Sequence, residues 1–282
     1  MVKLGFSLQA KYALPMPQVI TLLKQAGFSA VSPVWSPDSD MDSLAACVRE
    51  NGMTIQSLHA PHGVYLLWEP DAPESLPVQE RILGCIDACA QYQVPVMVIH
   101  GWQGLEYTFP DTPLDFRFFD RMADYAQKNN VCVAFENLEG EEYLEALMAR
   151  YRDREHIGFC WDSGHDHCYP HKTDFLESYG DRLIMTHIND NRGLRSPEGI
   201  PAATDDLHLL PFDGNIHWLH AIGRLKGKPR QSILNFELKY RSASNAPEDL
   251  LYTNMDLAQY IQTAGERAHR IAQLYETVMA EL

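Results

Sequence analysis

Short apolar segments of this chain end repeatedly in histidine or in an acidic residue. In "FCWDSGHDH", residues 159–167, an apolar run stops at Asp162 and is followed by His165, with Gly164 predicted to permit the turn between them. The histidines and acidic residues that end apolar segments are His59, His100, Glu136, Asp162, His187 and Glu237. The later loop "DDLHLLPFDG" adds Asp206 and His208. Imidazoles and carboxylates are the groups that hold divalent cations and transfer protons.

Clustering of these groups would create an electrostatic problem that a metal ion solves. Buried carboxylates beside neutral imidazoles are unstable unless a cation neutralises them. Nitrogen and oxygen ligands without thiolate suit Mn²⁺, Co²⁺, Mg²⁺ or Zn²⁺, and ligand type does not choose among these ions. A lone histidine at a strand end is more often structural, so the prediction depends on four residues that end four different segments. These are Glu136, Asp162, His187 and Glu237.

The elements that must position these groups alternate between strand-like and helix-like segments. Eight apolar runs are predicted as strands, at residues 3–8, 30–35, 54–60, 96–101, 131–137, 157–162, 183–189 and 232–238. Amphipathic segments with helical periodicity separate them. This pattern predicts a single-domain (β/α)8 TIM barrel over residues 1–282, with active-site groups at the C-terminal strand ends. A doubly wound sheet is the alternative, but the chain lacks the glycine-rich nucleotide motifs of that fold.

Charge and composition restrict the class of partner. The chain has 23 Lys and Arg against 38 Asp and Glu, a net charge of −15, and no basic stripe that would attract a nucleic acid. No long apolar stretch or leader-like start is recognisable, which predicts a cytoplasmic protein with no membrane partner. The six cysteines show no CxxC spacing and are expected to be reduced thiols. Long irregular segments and the last helix offer surface for a homo-oligomer.

The motifs "FEN", "WDSGH", "HINDNRG", "DLHLLPFDGNIHW" and "FEL", in this order, resemble those of the xylose isomerase-like TIM barrels. That family includes sugar isomerases and epimerases, inosose-processing enzymes and endonuclease IV. The resemblance runs over nearly the whole chain, from "LGFSL" to "NFEL". It implies one divalent ion held by Glu136, Asp162, His187 and Glu237. It also implies that Glu136 and Glu237 act as catalytic acid and base.

The resemblance also implies substrate contacts. His165 matches a substrate-contacting histidine, Arg192 matches an arginine that meets a substrate hydroxyl, and Glu142 falls where some members make another contact. The remaining predicted substrate-binding residues are His59, His100 and Trp102. Asp206 and His208 are predicted as additional metal ligands.

The implied activity is that of a metal-dependent sugar isomerase or epimerase on a small carbohydrate. A metal on a carbonyl and its neighbouring hydroxyl acidifies the adjacent C–H and stabilises the enediolate left by proton removal. Proton return to the opposite face gives epimerisation, and return to the neighbouring carbon gives isomerisation. Loss of a β-hydroxyl would instead make the protein an inosose dehydratase-type lyase. The sequence does not decide among these outcomes.

Two other classes of function stay open. An endonuclease IV-like phosphodiesterase on abasic DNA would use three zinc ions, and matching ligands are present at His59, His100, Glu136, Asp162, His165, His187, Asp206, His208 and Glu237. A non-catalytic barrel that binds a metal or a polyol is the second alternative. The basic residues in loops suited to an anionic substrate are Arg192, Arg195, Lys239 and Arg241. Because they are so few, we expect a neutral or carboxylated sugar rather than a phosphorylated one.

Overall fold

Parallel strands alternate with helices along the chain. The computed structural model describes residues 1–9, 11–242 and 244–280. Its strands are β1 (Lys3–Leu8), β2 (Ala30–Pro33), β3 (Thr54–Ile55), β4 (Ser57–His59), β5 (Val96–His100), β6 (Cys132–Glu136), β7 (Ile157–Asp162), β8 (Leu183–His187) and β9 (Ile233–Phe236). Its α-helices are α1 (Met16–Gln25), α2 (Met41–Glu50), α3 (Leu76–Gln91), α4 (Arg117–Lys128), α5 (Glu141–Arg150), α6 (Ser163–Cys168), α7 (Phe175–Tyr179), α8 (Trp218–Gly223) and α9 (Leu257–Ala280). Short 3-10 helices cover Val64–Trp68, Gly180–Arg182, Ala203–Asp205 and Pro247–Asp249.

The strands close into a barrel. One parallel sheet has the order β3-β2-β1-β9, and the other has the order β4-β5-β6-β7-β8. Isolated parallel bridges join the two sheets, from Val34 to His59 on one side and from Ile188 to Phe236 on the other. All strand ends therefore point to one rim, and the predicted TIM barrel fold is confirmed.

The third predicted strand, residues 54–60, differs from the prediction because it changes partners along its length. Thr54 and Ile55 pair with β2, whereas Ser57 to His59 pair with β5. Gln56 lies at the change and donates its backbone N–H to Val31 O at 2.9 Å. Together β3 and β4 fill one strand position of the barrel, so the predicted order of elements is retained.

The long last helix, α9, packs against α1 and the start of the chain. Gly265 makes this approach possible, because a Cβ at that position would lie only 2.2 Å from Ala26 O. Just after α1, Gly27 has φ +95°, the left-handed conformation that glycine commonly adopts at the C-terminal end of a helix. Among the described residues, no helix combines the length and apolarity needed to span a membrane.

Inside the barrel, apolar side chains form a floor below the rim. This small cluster consists of Val96, Val98, Ala134, Cys160 and Met185, which come from four neighbouring strands. Because side chains alternate along a strand, the inward residue two positions after Ala134 is Glu136, and two after Cys160 is Asp162. The alternation of side chains along each strand thus places carboxylates directly above the layer of apolar side chains inside the barrel.

Candidate metal centre and active site

Four predicted ligands come together at the C-terminal rim. Glu136 ends β6, Asp162 ends β7, His187 ends β8, and Glu237 directly follows β9. One oxygen or nitrogen atom from each of them lies within 4.8 Å of the corresponding atoms of the other three. Parallel strands bring their ends together in this way although the residues are up to about a hundred positions apart in the sequence.

The spacing of these atoms fits a single divalent ion. His187 Nδ1 lies 2.9 Å from Glu136 Oε1 and 2.6 Å from Glu237 Oε2. Ligands that each bind one ion at about 2.0–2.2 Å lie roughly 3–4 Å from one another. We therefore consider these four residues able to hold a metal after small adjustments of their side chains.

The charge of this cluster also fits a cation. Glu136 and Asp162 are buried, with exposed fractions of 1% and 0%, and their basic neighbours are histidines. Burial raises the pKa of Asp162 to about 6. Burial would also raise the pKa of Glu136, but the positive charge of His187 outweighs it and holds that pKa well below its ordinary value. In the metal-free protein, imidazole protons therefore neutralise these carboxylates.

We predict that metal binding releases protons. Burial would lower the pKa of His187, but Cys160, Glu136 and Glu237 raise it well above its ordinary value, so its imidazole is protonated at neutral pH. A metal must displace this proton, so affinity should rise with pH, by about tenfold per unit for each proton released. Calorimetric titration of the metal-free protein with metal, in buffers of different ionisation enthalpy, measures the number of protons released for each ion bound. Heat that does not depend on the buffer would contradict the prediction.

Neighbouring amides fix the orientation of Asp162. The aspartate caps α6, since its Oδ1 accepts the backbone N–H of His165 at 2.7 Å. Asn189 Nδ2 donates to its Oδ2 at 2.8 Å, and the side chain of Asn137 bonds both its backbone N–H and its backbone C=O. Sequence reasoning missed both asparagines, although each stands one or two residues after a predicted metal ligand, in "FEN" and "HIND".

Gly164 is required for a different reason than the one predicted. It lies within α6, with no left-handed turn between Asp162 and His165. A Cβ at Gly164 would lie 1.9 Å from Asn189 Oδ1. Glycine is therefore needed here because it lets the Asn189 amide reach Asp162.

Two histidines hold the second oxygen of Glu136. His59 Nε2 and His100 Nε2 lie 3.3 and 3.2 Å from Glu136 Oε2. Gln103 Nε2 donates to His100 Nδ1 at 3.0 Å in the assigned amide orientation, so the proton of His100 is on Nε2 and faces Glu136. Burial lowers the pKa of His100, in keeping with a neutral ring. In this tautomer the Nε2–H of His100 faces Glu136 Oε2 at 3.2 Å but outside hydrogen-bond geometry, and neither ring nitrogen has a lone pair free for a metal.

A second group of ligand-type side chains surrounds Asp206. His208 Nε2 lies 2.8 Å from Asp206 Oδ2, and His165 Nε2 lies 3.5 Å from Oδ1. Lys239 Nζ also approaches Oδ2, at 3.3 Å. Burial would raise the pKa of Asp206, but His208, His165 and Lys239 hold it well below its ordinary value. A lysine is therefore among the groups that neutralise Asp206, whereas the basic neighbours of Glu136 and Asp162 are histidines.

A cavity of ≈ 470 Å³ opens above both groups. Its polar walls suit a ligand with many hydroxyls, because each donor or acceptor can meet one of them. The predicted site residues that line it are His59, His100, Glu136, His165, Asp206, His208 and Glu237. His62 and Gln103 line it as well. Neither of these two residues was among the predicted site residues.

Basic residues are divided between the cavity and the outer loops. Lys239 and Arg241 line the cavity. Arg195 instead pairs with Asp205 and Asp249, at 3.0 and 2.5 Å. Arg192, predicted to contact substrate, is outside the cavity lining and donates to Glu248 O at 2.7 Å, with its Nε 3.4 Å from Asp249 Oδ1. This hydrogen bond and this ion pair hold the guanidinium of Arg192 against the segment Pro247–Asp249.

Trp102 and Glu142 also lie outside the cavity lining, contrary to the predicted substrate contacts. The Trp102 ring stacks on Tyr143, with centroids 4.5 Å apart and planes at 9°. Tyr107 OH donates to Glu142 Oε2 at 2.6 Å, in a separate cavity of ≈ 190 Å³. Aromatic packing between the loop after β5 and α5 holds both side chains there.

Asp190 organises the loop that carries Asp206 and His208. Its carboxylate is fully buried and accepts four hydrogen bonds, from the backbone N–H groups of Asn191, Phe212 and Ile216 and from the indole of Trp218. Its backbone pairs with Leu209 in an antiparallel bridge. The side chain and backbone of Asp190 therefore connect the beginning of this loop to its end.

We expect Asp190→Ala to lower the free energy of unfolding by about 3 kcal/mol or more, because several buried donors lose their acceptor. Urea unfolding of the metal-free protein measures this loss. The control is Asp181→Ala, which removes an exposed aspartate whose partner is Lys228 and should cost less than about 1 kcal/mol. Equal losses for the two variants would show that Asp190 does not organise the loop.

Comparison with known proteins agrees with this geometry. Residues 20–260 match the family model described as a xylose isomerase-like TIM barrel. The chain belongs to this family. A relative, the uncharacterized protein y4fM of Sinorhizobium fredii, is 30% identical over 304 aligned positions, which cover 93% of this chain and 88% of the relative.

Solved xylose isomerase-like structures share the whole barrel. The IOLI protein "with a binding zinc atom" superposes with a TM-score of 0.69 at 16% identity, over 98% of this chain and 99% of that one. D-psicose 3-epimerase with D-tagatose from Clostridium cellulolyticum H10 gives a TM-score of 0.65 at 14% identity, with the same coverage of 98% and 99%. At such identities the likeness establishes the fold.

Proposed function

We propose that this protein is a divalent-metal-dependent isomerase or epimerase of a small carbohydrate. The observation that supports it most is the pair of carboxylates, Glu136 and Glu237, that meet at His187 Nδ1 on the wall of the polar cavity. Two carboxylates at one reacting centre can remove a proton and return it. The likeness in fold to an epimerase solved with D-tagatose supports a carbohydrate substrate.

In this proposal Glu136, Asp162, His187 and Glu237 hold the ion. Bound there, a divalent cation would polarise a substrate carbonyl with its neighbouring hydroxyl and stabilise the negative charge that develops when the adjacent proton leaves. His165 and His208, on the wall beside this cluster, would bind substrate hydroxyls. Burial of the cluster strengthens each of these interactions because it excludes water.

Glu136 and Glu237 differ in how far their side chains are exposed to the cavity. We infer their roles from this difference. The side chain of Glu237 is 21% exposed to the cavity, whereas that of Glu136 is 0% exposed and is held by two histidines. Burial would raise the pKa of Glu237, but the charge of His187 holds it below its ordinary value, so the carboxylate is ionised. Glu237 would therefore take the first proton from the substrate, and Glu136 would act from the opposite side.

Incorporation of solvent deuterium tests the proposal. Protein loaded with Mn²⁺, Co²⁺, Mg²⁺ or Zn²⁺ is incubated in D₂O with a panel of ketoses and aldoses, and the products are read by NMR. We expect metal-dependent deuterium at the carbon beside the carbonyl of at least one sugar. Loss of water from the product would favour a dehydratase-type lyase. Binding without exchange would favour a non-catalytic barrel, and either result contradicts the proposal.

A zinc phosphodiesterase is the second candidate, because the cavity brings together three groups of ligand-type side chains. Besides the four-residue cluster, these are His59 with His100 and Glu136, and His165 with Asp206 and His208. Against it stands the net charge of −15, which repels a DNA backbone. Cleavage of an abasic-site duplex by the zinc-loaded protein, with no sugar exchange, would establish this alternative.

A further inference from the structure

The segment that follows β9 brings two cationic side chains to the candidate active-site cavity. Glu237, Lys239 and Arg241 are alternate residues of this segment, and all three line the cavity. The backbone N–H of Glu237 donates to Ile188 O at 3.1 Å. The backbone N–H of Lys239 donates to His208 O at 3.0 Å, so extended pairing continues past the end of β9. Alternation along extended chain accounts for the shared direction of Glu237 and Lys239.

These two cations have positive charge left for a ligand. Arg241 has an exposed side chain, and no residue of the described part of the chain forms an ion pair or a hydrogen bond with it. Lys239 Nζ lies 3.3 Å from Asp206 Oδ2, but His208 Nε2 lies closer to that oxygen, at 2.8 Å. Because an ammonium group carries three N–H donors, Lys239 can bind a further acceptor.

The acidic residues of the cavity lining do not use up this positive charge. In the proposed function Glu136 and Glu237 bind the ion. Asp206 already contacts two histidines besides the lysine. Glu139 is the other acidic residue among the described residues of the lining, and its Oε1 accepts the backbone N–H of Gly104. The lining therefore has positive charge available for one added anionic group.

We propose that the substrate carries a carboxylate at the end remote from its carbonyl, as a keto sugar acid does, and that Arg241 and Lys239 bind this carboxylate. The inference rests on the proposed function, since the carbonyl must lie at the ion. Two residues of extended chain span about 6–7 Å, so Lys239 lies about that far from Glu237 along the segment. A short carbon chain bridges such a distance.

The charge and the shape of these groups favour a carboxylate over a phosphate ester. The guanidinium of arginine presents two parallel N–H donors that match the two oxygens of a carboxylate. Lys239 shares its charge with Asp206, and the neighbouring Arg192 and Arg195 pair with Asp249. The charge that is left suits a singly charged group better than a doubly charged one.

The test compares sugars that differ only at the sixth carbon, on the protein loaded with its divalent ion. The pairs are D-fructose with D-fructuronate and D-tagatose with D-tagaturonate, and the 6-phosphates of both ketoses form a third group. Affinity is measured by calorimetry and deuterium exchange by NMR. We expect at least one acid to bind on the order of tenfold tighter than its neutral counterpart, because its hydrogen bonds are charge-assisted. Added salt should narrow that ratio.

Arg241→Gln should reduce the acid-to-neutral ratio of affinities on the order of tenfold, and Lys239→Gln should change it in the same direction. Arg241→Lys keeps the charge and should restore part of the ratio. Arg49→Gln is the matched control, since Arg49 is exposed on α2 and lies outside the cavity lining. It should leave the ratio unchanged. The metal content of each variant shows whether its ion site is intact.

The outcomes separate this inference from the proposed function. Exchange of neutral sugars with no preference for either acid would overturn the carboxylate site and leave the proposed function in place. A ratio that Arg241→Gln does not change would also overturn it, and tighter binding of a 6-phosphate would replace the carboxylate by a phosphate. Binding of an acid that depends on Arg241, with no deuterium exchange, would support the carboxylate site and refute the proposed function.

Discussion

Glu237→Gln is expected to reduce turnover roughly 10²–10⁴-fold while the barrel stays folded. The substitution keeps the size of the side chain but removes its ability to accept a proton. Glu237 lies at the cavity wall, and its Oε2 contacts His187 Nδ1 at 2.6 Å. Because the glutamine can still offer an oxygen ligand, metal affinity should fall less than turnover does.

Three measurements on purified Glu237→Gln test this result: the rate of deuterium exchange, the metal content and the thermal unfolding curve. Glu80→Gln is the matched control, since Glu80 is exposed on α3 and lies outside the cavity lining. A fully active Glu237→Gln protein would refute the assigned role. A variant that loses metal and activity in parallel would limit Glu237 to holding the ion.

Asp162→Asn is expected to have opposite effects on the metal-bound and metal-free proteins. It removes a charged ligand, so metal content should drop well below that of the wild type. In the metal-free protein it also removes a buried carboxylate whose charge burial disfavours. The introduced amide can donate to Asn189 Oδ1, a buried atom with no hydrogen-bond partner among the described residues, if the Asn189 amide rotates.

The pKa of Asp162 determines how the substitution changes the free energy of unfolding of the metal-free protein. Folded Asp162 keeps its proton up to pH about 6, whereas the unfolded chain loses it near pH 3.8. The wild type therefore loses stability as the pH rises from about 4 to 6, by about 3 kcal/mol in total, and this cost persists at higher pH. Asp162→Asn lacks this loss, so its advantage should grow over that window.

Urea unfolding of both metal-free proteins between pH 4 and pH 7 measures this difference. Repeating it with a divalent ion present should reverse the order, because the wild type gains stability from binding. If the difference in free energy of unfolding between the two metal-free proteins does not change with pH, the pKa of Asp162 is not raised by burial. Equal metal content in the two proteins would remove Asp162 from the ligand set.

The rim of the barrel was predictable from the sequence because it follows from strand geometry. Side chains at the C-terminal ends of parallel strands meet whatever the intervening loops do, so Glu136, Asp162 and His187 come together as expected. Alternation along each strand also fixes which of them point inward. The split of residues 54–60 into β3 and β4 was not predictable, because it depends on pairing with two different neighbours.

The loops explain why some residues predicted to contact substrate lie outside the cavity lining. Arg192 lies five residues after His187, yet Asp249, far along the chain, determines where its guanidinium lies. Trp102 lies two residues after the end of β5 but stacks on Tyr143 of α5. Such contacts are long-range in sequence and leave no local pattern. The contact between Arg192 and a substrate hydroxyl that the family resemblance implies stays a prediction.

The central claim is that one divalent ion is held by Glu136, Asp162, His187 and Glu237. Elemental analysis of the purified protein, before and after reconstitution with Mn²⁺, Co²⁺, Mg²⁺ and Zn²⁺, tests it most directly. We expect about one ion per chain, because Lys239 neutralises the second group of ligand-type residues, which surrounds Asp206. Absence of bound metal even after reconstitution would contradict the site, and close to three zinc ions per chain would contradict the single-ion assignment and favour the phosphodiesterase.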